Sequence, residues 1–275
     1  MIGGISRWMV NAVEKNPLVQ TIVGKQTVKS MMASQIPEPD LRGLPLVTNP
    51  KVSKLFESHI RNKSGGVFVV AAPPGSGKST YLRQSGNAFI QSGGHARFIS
   101  SEVASYNQFF RAFGVDELSG NVFNWMPQRS VIIFDQIEKL APLNVEMRVI
   151  IRRLAEENCR VPNRNVIIST SNIHSAKEIL KLGENDTIHR VGQCTDFMWG
   201  YDLVHKFMQS PPFVHWSEAH KQRLMEHAVR AACPRFLYGV ANMCGKNGYP
   251  EKDEIFAMRA EHYAQTWQEF REEGF

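Results

Sequence analysis

Residues Ala72-Pro73-Pro74-Gly75-Ser76-Gly77-Lys78-Ser79 bring together glycines, a lysine and a hydroxyl in the order that phosphate chemistry needs. A glycine-rich turn lets successive backbone N–H groups converge on an anion. The helix opening behind it, through Tyr81 and Leu82, adds the partial positive charge of its N-terminus. In such a loop Pro74, Gly75, Ser76 and Gly77 form the cradle, Lys78 reaches the β- and γ-phosphates, and the Ser79 hydroxyl ligates Mg²⁺. Thr80 is the neighbouring hydroxyl and the second choice for that ligand. The apolar run Gly66 to Ala71 directly before the loop reads as the strand that must carry it.

A phosphate loop needs an acid at the end of a neighbouring strand to hold the metal, and Ser130-Val131-Ile132-Ile133-Phe134-Asp135 supplies one. The next residue is Gln136. A neutral amide can orient a water molecule but is not a useful base, so hydrolysis is expected to be slow unless another group serves. Glu138 is the candidate substitute, with a solvated residue beside Lys139 as the alternative. A further strand ends Ser169-Thr170-Ser171-Asn172. A polar side chain there can bond the attacking water or the γ-phosphate. Asn172 is the first choice and Ser171 the second, and helix capping is the competing role for both.

Short apolar runs at Val67–Ala72, Ala96–Ser100, Ser130–Phe134 and Asn165–Ser169 alternate with helix-like segments, and a weaker run lies near Val191–Phe197. That alternation predicts βαβ units and a parallel sheet covered on both faces. From about residue 199 the strand signals stop. Leu203–Met208, Ser217–Ala232, Arg235–Cys244 and Asp253–Arg271 read as helices. The expected organisation is a helical extension over 1–36, a turn-rich linker at 37–45, an α/β core at 46–198, an all-α lid at 199–250 and an acidic helix at 251–275.

Residues 2–15 carry Ile2, Ile5, Trp8, Met9, Ala12 and Val13 at helical spacing with polar residues between, the pattern of an amphipathic helix. Packing on the body or on another subunit, peripheral contact with a membrane surface, and an organelle presequence are three readings of that stretch. The chain has 275 residues with 43% hydrophobic and 21% charged, an ordinary globular composition. Its net charge of +6 suits an anionic partner such as nucleic acid and equally suits solubility. The four cysteines lack a CxxC pair, which argues against a zinc site and a disulfide framework. No apolar run approaches the roughly 18 to 20 residues of a membrane span. An intracellular location, cytoplasmic or nuclear, is the default expectation, with organelle targeting left open.

Together these segments resemble the AAA+ division of P-loop ATPases over about residues 46–245. The loop is one residue, Ala72, from that family's common Gly-Pro-Pro-Gly-x-Gly-Lys-Thr/Ser form. Phe134-Asp135-Gln136 stands where its Walker B Asp-Glu lies, and Ser171-Asn172 looks like its sensor 1. The resemblance implies a P-loop parallel sheet sandwiched by helices with a small helical lid, ATP and Mg²⁺ as cofactors, and a homo-oligomeric ring or filament with nucleotide between subunits. It makes Arg190 the candidate trans-acting arginine. Arg235, in Cys233-Pro234-Arg235, becomes the candidate lid arginine, as in clamp-loader and replication-initiator relatives. Superfamily 3 viral helicases are a rival resemblance, because they too end this strand in Thr-Ser-Asn, but they usually lack the Pro-Arg lid helix. Action on nucleic acid and a nucleotide-gated scaffold are the two functions that follow.

Overall fold

The computed structural model describes residues 17–41, 43–100, 105–115, 122–140, 144–183, 187–244 and 253–275. The amphipathic stretch 2–15 lies outside the described residues. Along the chain run α1 (Pro17–Ala33), α2 (Pro50–Ile60), β1 (Gly66–Ala71), α3 (Lys78–Gln91), β2 (His95–Ile99), α4 (Tyr106–Ala112), α5 (Val122–Trp125) and β3 (Ser130–Phe134). After them come α6 (Val145–Arg160), β4 (Arg164–Thr170), α7 (Ile173–Leu180), β5 (Ile188–Arg190), α8 (Tyr201–Met208), α9 (Glu218–Ala231), α10 (Pro234–Cys244) and α11 (Glu254–Glu272).

The five strands form one parallel sheet in the order β2-β3-β4-β1-β5. β1, β3 and β4 are buried along their whole lengths, which is why they read as unbroken apolar runs rather than alternating ones. Because every strand points the same way, the loops after β1, β3 and β4 emerge at one end of the sheet. Phe134 lies opposite Ile168, and Ala71 opposite Thr170. That register sets Asp135 beside Ser169 and the phosphate loop beside Ser171.

The apolar residues gather in two clusters. One fills the sheet and its covering helices and includes Met32, Phe56, Phe89, Phe134 and Ile167. The other includes Trp199, Phe207, Phe213, Leu224, Phe236 and Phe256 from the helices after residue 199. Phe197 belongs to the first cluster and Trp199 to the second, so the chain crosses between them within three residues.

One local expectation is corrected. The fifth strand is Ile188–Arg190, and Cys194–Phe197 is a 3₁₀ turn instead of part of a strand. Gly192 at φ 66° ends the extended run. The Gln193–Asp196 capping box then starts the turn. On α6, Arg148 pairs with Glu178 at 2.8 Å, and the Arg153 guanidinium lies 4.4 Å from the Phe123 ring centre.

The segment read as a linker is pinned down. Asn87, buried on α3, accepts from the Ile36 N–H at 2.8 Å and donates to the Ile36 carbonyl at 2.9 Å and to Glu38 at 2.8 Å. Arg83 donates to the Pro37 carbonyl at 2.7 Å. At the far end Tyr238 of α10 donates to the Pro45 carbonyl at 2.7 Å. Residues 36–41 and 43–45 therefore form a strap held by α3 and α10.

Candidate functional site

The turn after β1 is built on two left-handed glycines, Gly75 at φ 83° and Gly77 at φ 92°. Gly77 is the N-cap of α3 and brings no side chain, so the first N–H groups of this 14-residue helix are left for an outside acceptor. A Cβ on Gly75 would stand 2.6 Å from Arg235 Cβ, so glycine is required both by conformation and by the close approach of α10.

Lys78 is buried, and its ammonium is surrounded by neutral acceptors: the Ala72 carbonyl at 2.6 Å, the Pro73 carbonyl at 3.1 Å, Ser76 Oγ at 3.3 Å and Ser171 Oγ at 2.8 Å. Burial pushes it down to about 8, against the opposing carboxylates of Glu138 and Asp135. Among the described residues no carboxylate is paired with it. A cation held only by dipoles in a closed setting is suited to receive an anion.

Asp135 is buried at the end of β3. Its Oδ1 accepts from Ser79 Oγ at 3.0 Å and from Ser169 Oγ at 2.7 Å. Gln136 follows at φ 56°, a backbone region that glutamine rarely adopts, with its N–H donating to Ser169 Oγ at 3.1 Å. That turn aims the Gln136 amide back at Ser79 Oγ, 3.1 Å away. Ser169, absent from the sequence-derived set, thus holds both the acid and the residue after it. Its only sequence signal is the strand-end position beside the acid.

The loop and the ends of β3 and β4 border a cavity of about 780 Å³, a volume in the usual range for small-molecule sites, while Asp135 and Ser169 are buried and do not line it. Pro74, Gly75, Gly77, Lys78, Ser79 and Thr80 line one wall, and Gln136, Glu138, Ser171 and Asn172 line another. Ser76 is fully buried beneath. Glu138 sits in the 3₁₀ turn after β3, and its Oε2 is buried without a hydrogen-bond partner. Asn172 borders the cavity while its side chain caps α7 by accepting from the Ser175 N–H at 2.9 Å, so the residue that touches Lys78 is Ser171.

The lid closes the third side. Pro234 opens α10, where proline's missing N–H costs nothing, and Arg235 borders the cavity with Tyr238 and Asn242. The Arg235 N–H donates to the Gly75 carbonyl at 3.3 Å, and Cys233 Sγ donates to the same oxygen at 3.3 Å. Pro39, Asp40 and Leu41 of the strap complete the lining. The sequence gives no sign of them, because they are brought in by Asn87 from a distant helix.

Arg190 is placed elsewhere. It ends β5 at the edge of the sheet, donates to the Gly274 carbonyl, and lies 4.9 Å from the Phe275 ring centre. It does not line this cavity.

No protein-family model and no curated protein sequence matches this chain. Solved structures do resemble it. A Walker-type ATPase of Pyrococcus abyssi superposes with a TM-score of 0.52 at 10% identity, covering 88% of this chain and 80% of that one. AMPPCP-bound DnaA of Aquifex aeolicus superposes with a TM-score of 0.50 at 10% identity, covering 78% of this chain and 68% of that one. The phosphate loop after the first strand, the strand order and these superpositions agree, and the chain has the fold of the AAA+ P-loop ATPases.

Proposed function

We propose that the chain binds Mg-ATP between subunits of a homo-oligomeric ring or filament and uses it to act on nucleic acid, as a loader, initiator, transposition regulator or helicase-like protein. The observation that carries the nucleotide part is Lys78, buried beside the cavity with only neutral partners, next to the Ser79–Asp135 pair. A triphosphate fits there. Lys78 would exchange the loop carbonyls for the γ-phosphate, and the uncapped N-terminus of α3 would hold the other phosphates.

Ser79 and Asp135 are the residues that would hold Mg²⁺, and the oxygen-only donor set suits that ion. Bound there, the ion supplies charge neutralisation across the phosphates. The Ser79 oxygen presently accepts from the Gln136 amide, so that amide has to turn aside for a metal ligand to form. Glu138, with its buried unpartnered oxygen, is the group able to take the proton of an attacking water. Gln136 orients that water, Ser171 or Asn172 bonds it or the γ-phosphate, and Arg235 contributes positive charge from the lid. Arg190 reaches the nucleotide of a neighbouring subunit only after leaving Gly274 and Phe275.

The Gln136 contact with Ser79 favours a second reading, a nucleotide-gated scaffold with slow or absent turnover, assembling through residues 2–15 or meeting a membrane with them. Steady-state ATP hydrolysis with and without single- and double-stranded DNA and RNA separates the two. Turnover stimulated by nucleic acid and lost in Lys78→Ala is the expected result. Tight ATP binding without turnover, with hydrolysis appearing on Gln136→Glu, would establish the scaffold instead.

A further inference from the structure

β2 is the edge strand on the side away from β5, and its outer end borders a second cavity of about 430 Å³. Arg97, Phe98, Ser100, Gln108 and Arg111 line it, the first three from the strand and its end and the last two from α4. Arg97 Nε is buried and has no hydrogen-bond partner. Burial pushes its guanidinium down from the usual arginine range, and among the described residues no carboxylate acts against that burial.

Arg164 Nε is likewise buried without a partner among the described residues, but the terminal nitrogens of that guanidinium are provided for. Arg164 donates to the carbonyls of Phe123 and Met126 and has Glu157 nearby. A half-buried guanidinium without an acceptor carries a desolvation cost that an arriving anion removes. Arg111, exposed in the last turn of α4, presents a second guanidinium to the same cavity.

Further positive charge beside the strand comes from Lys29 and Arg129 rather than from His95, whose imidazole is kept neutral by burial and by those charges. His95 stands two residues before Arg97 and so on the same face of β2. Its Nδ1 is likewise buried without a partner, and the like charges of Lys29 and Arg129 press on it after burial itself. Phe98 lines the cavity with Arg83 stacked 4.3 Å from its ring centre. Guanidinium groups beside an aromatic ring match the two surfaces of a nucleotide unit, its phosphate and its base. Strand addition by an acidic peptide is the less suitable alternative, because α1 packs against β2.

We propose that the outer edge of β2 is a binding surface for single-stranded nucleic acid, with a backbone phosphate seated between Arg97 and Arg111. The proposal rests on the nucleic-acid part of the function given above and names the surface that carries it.

The test is fluorescence anisotropy of a labelled oligothymidylate titrated with the full chain in Mg-ATP over a range of salt. Each phosphate contact on a single strand contributes about 0.7 to the salt slope. Arg111→Ala, at an exposed position, should flatten the slope by about 0.7 and weaken binding about fivefold at 0.1 M salt. Arg97→Gln with Arg111→Ala should flatten it by about 1.4 and weaken binding about 25-fold. Binding of a fluorescent ATP analogue should be unchanged in both, which reports an intact fold. Equal oligonucleotide binding by wild type and Arg111→Ala overturns the proposal, and so does tighter binding of polyglutamate than of the oligonucleotide. A wild type that binds ATP and no oligonucleotide overturns both this surface and the nucleic-acid reading. Loss of oligonucleotide binding on Arg111→Ala in a chain that binds no ATP would keep the surface and remove the ATPase reading.

Discussion

Lys78, Cys233 and Gln136 show how single residues set the state of the loop. Lys78 is held by loop carbonyls where phosphate oxygens would stand, so the ligand displaces internal bonds to neutral partners instead of breaking an ion pair. Cys233 fastens the lid to the loop through the Gly75 carbonyl, and burial pushes its thiol up from the ordinary 9.0 to about 11. The protonated thiol is the form that donates this bond. Because the folded pKa lies above the unfolded one, the thiol's contribution to stability is complete below about pH 9 and lost as pH rises through about 11. Urea unfolding of wild type and Cys233→Ala should show a gap of about 1 kcal/mol at neutral pH that narrows across that window. A constant gap would place the effect in packing rather than in the thiol's proton. Gln136 combines a left-handed backbone with an amide on Ser79. Gln136→Glu is expected to raise hydrolysis at least tenfold, since it places a second carboxylate beside the water that Glu138 deprotonates. Unchanged turnover would show that a carboxylate at position 136 adds nothing to Glu138.

Among the elements, the strap of residues 36–41 and 43–45 has the clearest mechanical part. It has no regular structure, yet it lines the cavity because Asn87 satisfies its backbone from α3. Asn87→Ala leaves the Ile36 N–H and carbonyl without their buried partners, and a cost of about 2–3 kcal/mol is expected from urea unfolding. ATP affinity should fall together with stability if the strap forms part of the nucleotide wall. An unchanged affinity would show that it does not. This element also marks what the sequence could not disclose. The Gly75-Ser76-Gly77-Lys78-Ser79 loop and the strand ending in Asp135 were legible because each signal is local, a few residues in one run. The strap, Ser169 and the orphaned Arg97 depend on partners 34 to 51 residues away or on the lack of one. The fifth strand was misplaced for a related reason: Gly192 and the Gln193–Asp196 turn outweigh the apolar content of Val191–Phe197. Asn172 and Ser171 were both legible as a polar strand end, but only the coordinates show that Asn172 caps α7 and Ser171 meets Lys78.

On the scale of the whole chain, the cavity lies where the sheet cluster and the helical cluster meet, so a nucleotide touches both. The loop, Gln136 and Glu138 come with the first, and Arg235, Tyr238 and Asn242 come with the second. Anything bound there must couple the position of the helices after residue 199 to the sheet, which is the physical basis for a nucleotide-driven change. The opposite edges of the sheet carry different arginines, Arg190 on β5 and Arg97 on β2. The most direct test of this account is isothermal titration of Mg-ATP into the full chain and into Lys78→Ala, with circular dichroism to establish that both are folded. The account predicts one ATP bound per chain by the wild type and an affinity at least a hundredfold lower in the variant. Equal affinity in the two folded proteins, or no binding by the wild type, would contradict it.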